Sequence, residues 1–334
     1  MPNIRVLHFG LGPIGAAIVK QVAGRKGFKI VGAVDIDPDK AGRDLGEVAG
    51  MRRRIGVKVQ GDAVKALKAT KPDVVVHCTS SSLVHVMPQL EAILNAKTAV
   101  VSTTEELAYP WRMHRKQALQ LDTLAKKRKV AVLATGVNPG FAMDAIPIAL
   151  TAVCERVDRV VVNRIQDARI RRLPFQQKIG AGLTVEQFLE KVADGSVRHV
   201  GFTQSIAMIG DALGWKLDRI TDEVKPRLAD TMVASDLLAV DPGYVCGIVQ
   251  DGIGYRNGKP VITLHLEAYL GAPESYDSVD IEGSPTLSMK FAGGIHGDIA
   301  TVSMVINAMP KVLAAPPGLH TMRDLALPSF FPGR

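Results

Sequence analysis

Two carboxylates, Glu105 and Glu106, follow three hydroxyl residues, Ser102, Thr103 and Thr104, directly after the apolar run Ala99-Val100-Val101 and just before Tyr109 and Trp111. A carboxylate in a half-closed apolar pocket has its pKa raised and serves as a general acid or base. The same spacing also suits a helix start whose acids only cap N–H donors. Glu105 lies nearer the strand end and is the first candidate; Glu106 is the second. A further chemical signal stands near the start of the chain, where Gly10, Gly12 and Gly15 have the G-x-G-x-x-G spacing. They follow the apolar run Ile4 to Phe9 and open a helical stretch from Ala16 to Val22. A second apolar run, Phe28 to Val34, ends in Asp35, 20 residues after Gly15. Strand, glycine turn, helix, strand and acid is the order that seats a dinucleotide.

Each part has a physical task. Gly10 turns the chain sharply off the strand. Gly12, with Pro13 and Ile14 leading into the helix, lets backbone approach a pyrophosphate. Gly15 lets helix and strand pack closely. The helix start then presents N–H donors and a positive dipole end to the phosphates. Asp35 accepts hydrogen bonds from ribose hydroxyls and repels a 2′-phosphate, which favours NAD over NADP. Lys40, Arg43 and the run Arg52-Arg53-Arg54 are within reach of a phosphate, so NADP stays open. The alternative is a dinucleotide-type domain that has lost its ligand.

These residues need elements to hold them. Apolar runs alternate with helical patterns: a helix over Ala63–Thr70, a strand over Asp73–Cys78, a helix over Val84–Asn95, a strand over Ala99–Ser102, a helix over Arg115–Lys129, and a strand over Val130–Ala134. Val57 to Val59 reads as a short strand. Such alternation predicts an α/β fold, a Rossmann doubly wound parallel sheet. From about residue 156 the pattern changes to a second α+β domain. There Val160–Val162 reads as a strand, helices begin near Thr184 and Thr203, and a hairpin joins Val245–Tyr255 to Pro260–Tyr269. The expected division is 1–140 for the dinucleotide domain, 141–297 for a catalytic and dimerisation domain, and 298–334 for a helix and tail returning to the first domain.

Ligands of an open parallel sheet collect at the carboxyl ends of its strands. The loops there hold Thr79 and Ser80, which leave room for the cofactor or cap the next helix. Ser102 and Thr103 follow the next strand. Thr135 to Phe141 contains Asn138, a donor and acceptor, and Phe141, an apolar wall; the other reading of this loop is a hinge. In the second domain Asn163, Arg164 and Gln166 follow a strand and are candidate substrate contacts. Gly180 to Thr184 reads equally as an anion site or a helix cap, and His296 reads as structural.

Composition removes several function classes. The 334 residues contain 47% hydrophobic residues, and the mean hydropathy of +0.13 is that of a soluble enzyme. No apolar run approaches the ~18 residues of a membrane helix, and the chain enters a strand at once without a signal-type segment. A cytoplasmic location follows. The three cysteines are far apart, and the eight histidines show no metal-ligand spacing. The net charge of +8 is scattered and aromatics are only 5%, so no nucleic-acid site is expected.

The segments GLGPIG, VDIDPDKAGRDLGE, STTEELAYPW, TGVNPGF, RIQDA, RRLPFQQKIGAGL and GGIHGDIATVSMVIN together resemble 2,4-diaminopentanoate dehydrogenases and the related native amine dehydrogenases, over nearly the whole chain. The first domain is also similar to dihydrodipicolinate reductases. Those carry a paired-histidine stretch with a nearby lysine, whereas this chain has no adjacent histidines and holds Arg164-Ile165-Gln166-Asp167 in that region. The resemblance implies a homodimer that performs NAD(P)-dependent oxidative deamination of a small amine, reversible as reductive amination of a ketone with ammonia. It makes Glu105 of the EEL motif the acid/base group and places Asn138 and Phe141 in the substrate pocket. A diamino acid would need cations for its carboxylate, for which Arg164, Arg169, Arg171 and Arg172 are candidates. Two other readings remain: a reductase of a cyclic imine on the same fold, and an NAD-binding sensor or scaffold without turnover.

Overall fold

The short valine-rich runs of the N-terminal part are buried along their whole length, which requires a sheet covered on both faces. The computed structural model describes residues 3–333. Its first elements are β1 (Ile4–Phe9), α1 (Pro13–Gly24), β2 (Phe28–Val34), α2 (Leu45–Val48), β3 (Val59–Gln60), α3 (Ala63–Thr70), β4 (Val74–His77), α4 (Leu83–Asn95), β5 (Ala99–Ser102), α5 (Arg115–Arg128) and β6 (Ala131–Ala134). Then come α6 (Ala145–Leu150), β7 (Arg156–Asp167), α7 (Leu173–Lys178), α8 (Val185–Ala193), α9 (Phe202–Ala212), β8 (Arg219–Leu228), β9 (Val233–Ala234), β10 (Ala239–Val240), β11 (Val245–Arg256), β12 (Lys259–Tyr269), β13 (Tyr276–Ser284) and β14 (Leu287–Ala292). The chain ends with α10 (Gly297–Ala314) and β15 (Gly318–His320). Two units result: one from the chain up to Phe141 and again from His296 onward, the other from Ala142–Ile295.

The first unit is a seven-stranded sheet in the order β15-β6-β5-β4-β1-β2-β3, with parallel pairing throughout. This is the doubly wound sheet that the alternation predicts. Leu7, Val75, Leu90, Val100, Leu121 and Val132 form the core under α3, α4 and α5. Helices α1 and α10 lie together on the other face, α10 against β4, β5 and β6. From β1 the sheet is built outward to β2 and β3 on one side and to β4, β5 and β6 on the other. That reversal opens a crevice at the carboxyl ends of β1 and β4.

The second unit has a six-stranded sheet in the order β14-β13-β7-β12-β11-β8. The expected β11/β12 hairpin turns through Asn257 and Gly258, both at positive φ (51° and 73°), as a two-residue right-twisting turn requires. Helix α9 lies on β8, β11 and β12. Gly252 and Gly254 let it approach, since a Cβ at either would stand 2.8 Å from Ile206. Strand β7 is far longer than Val160–Val162 and takes in Asn163 to Asp167, which corrects the reading of those polar residues as following the strand. Alternation puts Val160, Val162, Arg164 and Gln166 on one face, all buried, while Asn163 points to the other.

Candidate active site

The glycine turn has the shape its spacing predicts. Gly10 has φ +91°, and a Cβ there would lie 2.3 Å from the Cys78 carbonyl oxygen. A Cβ on Gly15 would lie 2.0 Å from the Gly10 oxygen. Both glycines are therefore required by the fold itself, through the contact of α1 and its turn with β4. Gly12 differs. It is the N-cap of α1, in extended backbone at φ −67° and ψ −176°, with Pro13 next, and a Cβ there would meet no protein atom within 4 Å. The space in front of Gly12 is the space a pyrophosphate needs. The amides of Ile14 and Gly15, in the first turn, have no intrahelical acceptor and suit phosphate oxygens. The cradle thus fits a dinucleotide.

Asp35 stands at the end of β2 and is 8% exposed. Its Oδ2 accepts from the Leu11 amide at 2.7 Å and its Oδ1 from the Asp37 amide at 3.0 Å. The Lys40 ammonium is 3.2 Å from Oδ2 and 3.3 Å from the Asp37 carboxylate. The acid that would read the ribose is therefore positioned by backbone and accompanied by a cation.

The loops after β4 and β5 are tied to one another. His77 is fully buried; its Nδ1 lies 2.9 Å from Ser102 Oγ and its Nε2 2.7 Å from Gln89 Oε1. Thr79 Oγ1 joins the same amide at 2.7 Å. Ser102 Oγ lies 3.0 Å from Thr104 Oγ1, and Thr104 donates to the Ser80 carbonyl at 2.8 Å. This network spans both strand ends, and sequence reasoning missed His77 because nothing in its spacing distinguishes it from a strand residue. Burial drives the His77 pKa down to about 4, so the ring is neutral near neutral pH. Ser102, a candidate cofactor contact, is wholly buried and serves the network instead. Thr79, Ser80 and Thr103 are partly or fully exposed at the strand ends.

The two glutamates separate here. They lie in a single 3-10 turn, Glu105–Leu107. Glu106 accepts from the Leu83 amide at 2.7 Å, the first residue of α4, and its Oε2 lies 3.4 Å from His114 Nε2. It thus caps the start of α4. Glu105 is half-buried at the carboxyl end of β5. Its charge acts on Cys78, whose thiol burial pushes up to about 12, with Thr103 hydrogen-bonding it in opposition. Cys78 Cβ in turn would be 3.7 Å from a Cβ at Gly15. Gly15, Cys78, Thr103 and Glu105 thus follow one another as neighbours from the dinucleotide turn to the end of β5. The neighbouring aromatics belong to the core: Tyr109 is buried, with Arg323 Nη1 3.5 Å from its hydroxyl, and Trp111 packs on the α4–α5 cluster.

After β6, the loop from Thr135 to Phe141 is held by α10, where Thr301 Oγ1 accepts from the Val137 amide at 3.2 Å. Gly140 has φ +127°, and a Cβ there would strike the Gly136 amide nitrogen at 2.4 Å. Asn138 is buried and Phe141 half-buried in this tight loop.

In the second unit Arg164 is 3% exposed. It donates to Asp277 and, at 2.7 Å, to the Ile295 carbonyl, while Asp277 accepts from the Ile295 amide. Removing one partner of such a buried pair costs about 3–5 kcal/mol. Arg171 Nη1 lies 3.3 Å from Gln166 Oε1 and its guanidinium stacks 4.0 Å over the Phe175 ring. Loss of water and the positive charges of Lys178, Arg164 and Arg171 push the His199 pKa down to about 3. Arg164, Gln166, Arg171, Lys178 and His199 thus form one cationic neighbourhood. Asn163 is excluded from it: on the opposite face it donates to Ser278 at 3.1 Å. Arg169 is exposed and paired with Asp167.

Comparison with known proteins gives the family. The model of the 2,4-diaminopentanoate dehydrogenase C-terminal domain matches residues 141–333, and that of the dihydrodipicolinate reductase N-terminus matches residues 4–135. A 2,4-diaminopentanoate dehydrogenase of Acetoanaerobium sticklandii is 33% identical, covering 98% of this chain and 95% of that protein. An amine dehydrogenase of Streptomyces virginiae is 24% identical over 97% and 96%. The structure of an amine dehydrogenase from Mycobacterium smegmatis superimposes with a TM-score of 0.87 at 25% identity, covering 99% of this chain and 98% of that one. With a matching domain model over more than half its length and a 33% identical relative along nearly all of it, the chain belongs to the 2,4-diaminopentanoate dehydrogenase family.

Proposed function

We propose that this protein is an NAD(P)-dependent amine dehydrogenase, with Glu105 as its acid/base group. The observation that carries this reading is the separation of the two acids. Glu106 caps the start of α4, while the charge of Glu105 acts on Cys78, the neighbour of Gly10 and Gly15 in the turn that fits a dinucleotide. Bound in that cradle, the nicotinamide supplies a hydride to the carbon that bears nitrogen, or removes one in the reverse direction. The Glu105 carboxylate takes a proton from ammonium so that the ammonia can attack the carbonyl. It returns a proton as water leaves and then faces the cationic iminium carbon, which a negative charge stabilises. In the oxidative direction the same group activates the water that displaces ammonia. Overall, the protonated amine, water and the oxidised cofactor give ketone, ammonium, the reduced cofactor and one proton.

The His77 network supports this role by fixing the loops on both sides of Glu105. Asn138 and Phe141 are proposed to line the substrate pocket. A substrate of the 2,4-diaminopentanoate type is proposed on the family likeness. A homodimer is the assembly proposed, on the family likeness; a cytoplasmic site of action is consistent with the absence, among the described residues, of any helix able to cross a membrane.

The test is a panel of 2,4-diaminopentanoate, simple amines lacking a carboxylate, and cyclic imines, with reduced cofactor and free ammonia measured together. The reading predicts oxidation of the diamino acid with one ammonia released per reduced cofactor. Reduction of cyclic imines without ammonia exchange would favour the imine reductase, and no turnover of any amine or carbonyl would favour a dinucleotide-binding protein without chemistry.

A further inference from the structure

We infer that Lys40 sets the choice between NADH and NADPH and admits the 2′-phosphate; the inference rests on the dinucleotide reading above. Asp35 alone would exclude a phosphate from the ribose, because a carboxylate repels a second anion at that point. Here its charge is accompanied. The Lys40 ammonium lies 3.2 Å from Asp35 Oδ2 and 3.3 Å from Asp37 Oδ2. Burial opposes that charge, but the hydrogen bonds to both carboxylates outweigh it, and the lysine pKa lies above its ordinary value.

Lys40 is not needed to orient Asp35. The amides of Leu11 and Asp37 already hold one oxygen each. What the lysine adds is charge, in the one place where the two cofactors differ. Its flexible stem lets the ammonium follow a phosphate away from Asp37.

Two of the other basic residues near this loop are engaged elsewhere: Arg53 donates to the Ala23 carbonyl at 2.9 Å and Arg54 pairs with Glu47 at 2.8 Å, while Arg43 donates to the Asp39 carbonyl at 3.4 Å. Without Lys40, the segment from Asp35 to Lys40 would present Asp35, Asp37 and Asp39 with no cation among them.

The experiment is a fluorescence titration of the substrate-free protein with NADH and with NADPH. It compares wild type, Lys40→Gln and Lys40→Arg. Wild type is expected to bind both cofactors. Lys40→Gln is expected to lower the NADPH-to-NADH affinity ratio by roughly tenfold, the worth of one charge-assisted phosphate contact, and Lys40→Arg to restore it. A ratio in Lys40→Gln within about twofold of wild type overturns the inference while leaving the dinucleotide site intact. So does a wild type that binds NADH but not NADPH. A wild type that binds neither overturns the dinucleotide reading itself.

Discussion

Gly12 offers the sharpest separation of folding from binding in this protein. Its backbone lies at φ −67°, open to any residue, and an added methyl would meet no protein atom within 4 Å. Gly12→Ala at a helix N-cap is expected to cost only about 0.5–1 kcal/mol of stability, a fall in Tm of about 2 °C for a chain of this size. The methyl would instead occupy the approach of the pyrophosphate. Losing two charge-assisted amide–phosphate bonds, at about 1.5–3 kcal/mol each, weakens dinucleotide binding at least 100-fold, as about 3 kcal/mol requires. Gly10→Ala and Gly15→Ala provide the contrast. Their methyls would stand 2.3 Å and 2.0 Å from backbone oxygens, so these variants are expected to lose the fold rather than the ligand alone. Thermal denaturation of the free protein and a titration with NADH measure both effects. A Gly12→Ala protein that binds NADH as wild type does would show that no phosphate rests there. One that unfolds would show that the space is needed by the chain itself.

Other outcomes follow from the same geometry. Glu106→Gln removes the charge that caps α4, and should lower stability by about 1 kcal/mol while keeping kcat within about tenfold of wild type; a loss of several orders of magnitude would return Glu106 to the chemistry. His8 and His77 are buried and neutral, their pKa values held by burial at about 3 and about 4. Since both lie below the unfolded value of 6.5, their stability is fully present above pH 6.5 and is lost as the pH falls toward 4, by about 1.4 kcal/mol per pH unit for each. Urea midpoints measured across that range should fall steadily, and His77→Asn should flatten the slope; a pH-independent midpoint would contradict the assignment.

The first unit was largely legible in the sequence because its strands are continuous apolar runs and its glycines carry a fixed geometry. Asp35, Gly12 and Glu105 were placed at strand ends by pattern alone. The second unit was harder to read. β8 is half charged and contains Pro226 on an exposed edge, and β13 mixes aspartates and serines with two core residues, Val279 and Ile281. Local pattern could not show that Arg164 continues the buried face of Val160 and Val162, because its partner Asp277 lies 113 residues away. The roles of Glu106 and Ser102 depend on the same kind of distant contact: a helix start 23 residues before the one and a histidine 25 residues before the other.

The proton chemistry assigned to Glu105 is tested most directly by single-turnover oxidation of 2,4-diaminopentanoate with Glu105→Gln protein saturated with oxidised cofactor. The reading predicts wild-type cofactor affinity and a rate lowered by roughly 10²–10⁴-fold, the usual contribution of a positioned acid/base group. A rate close to wild type, with cofactor bound, would contradict it.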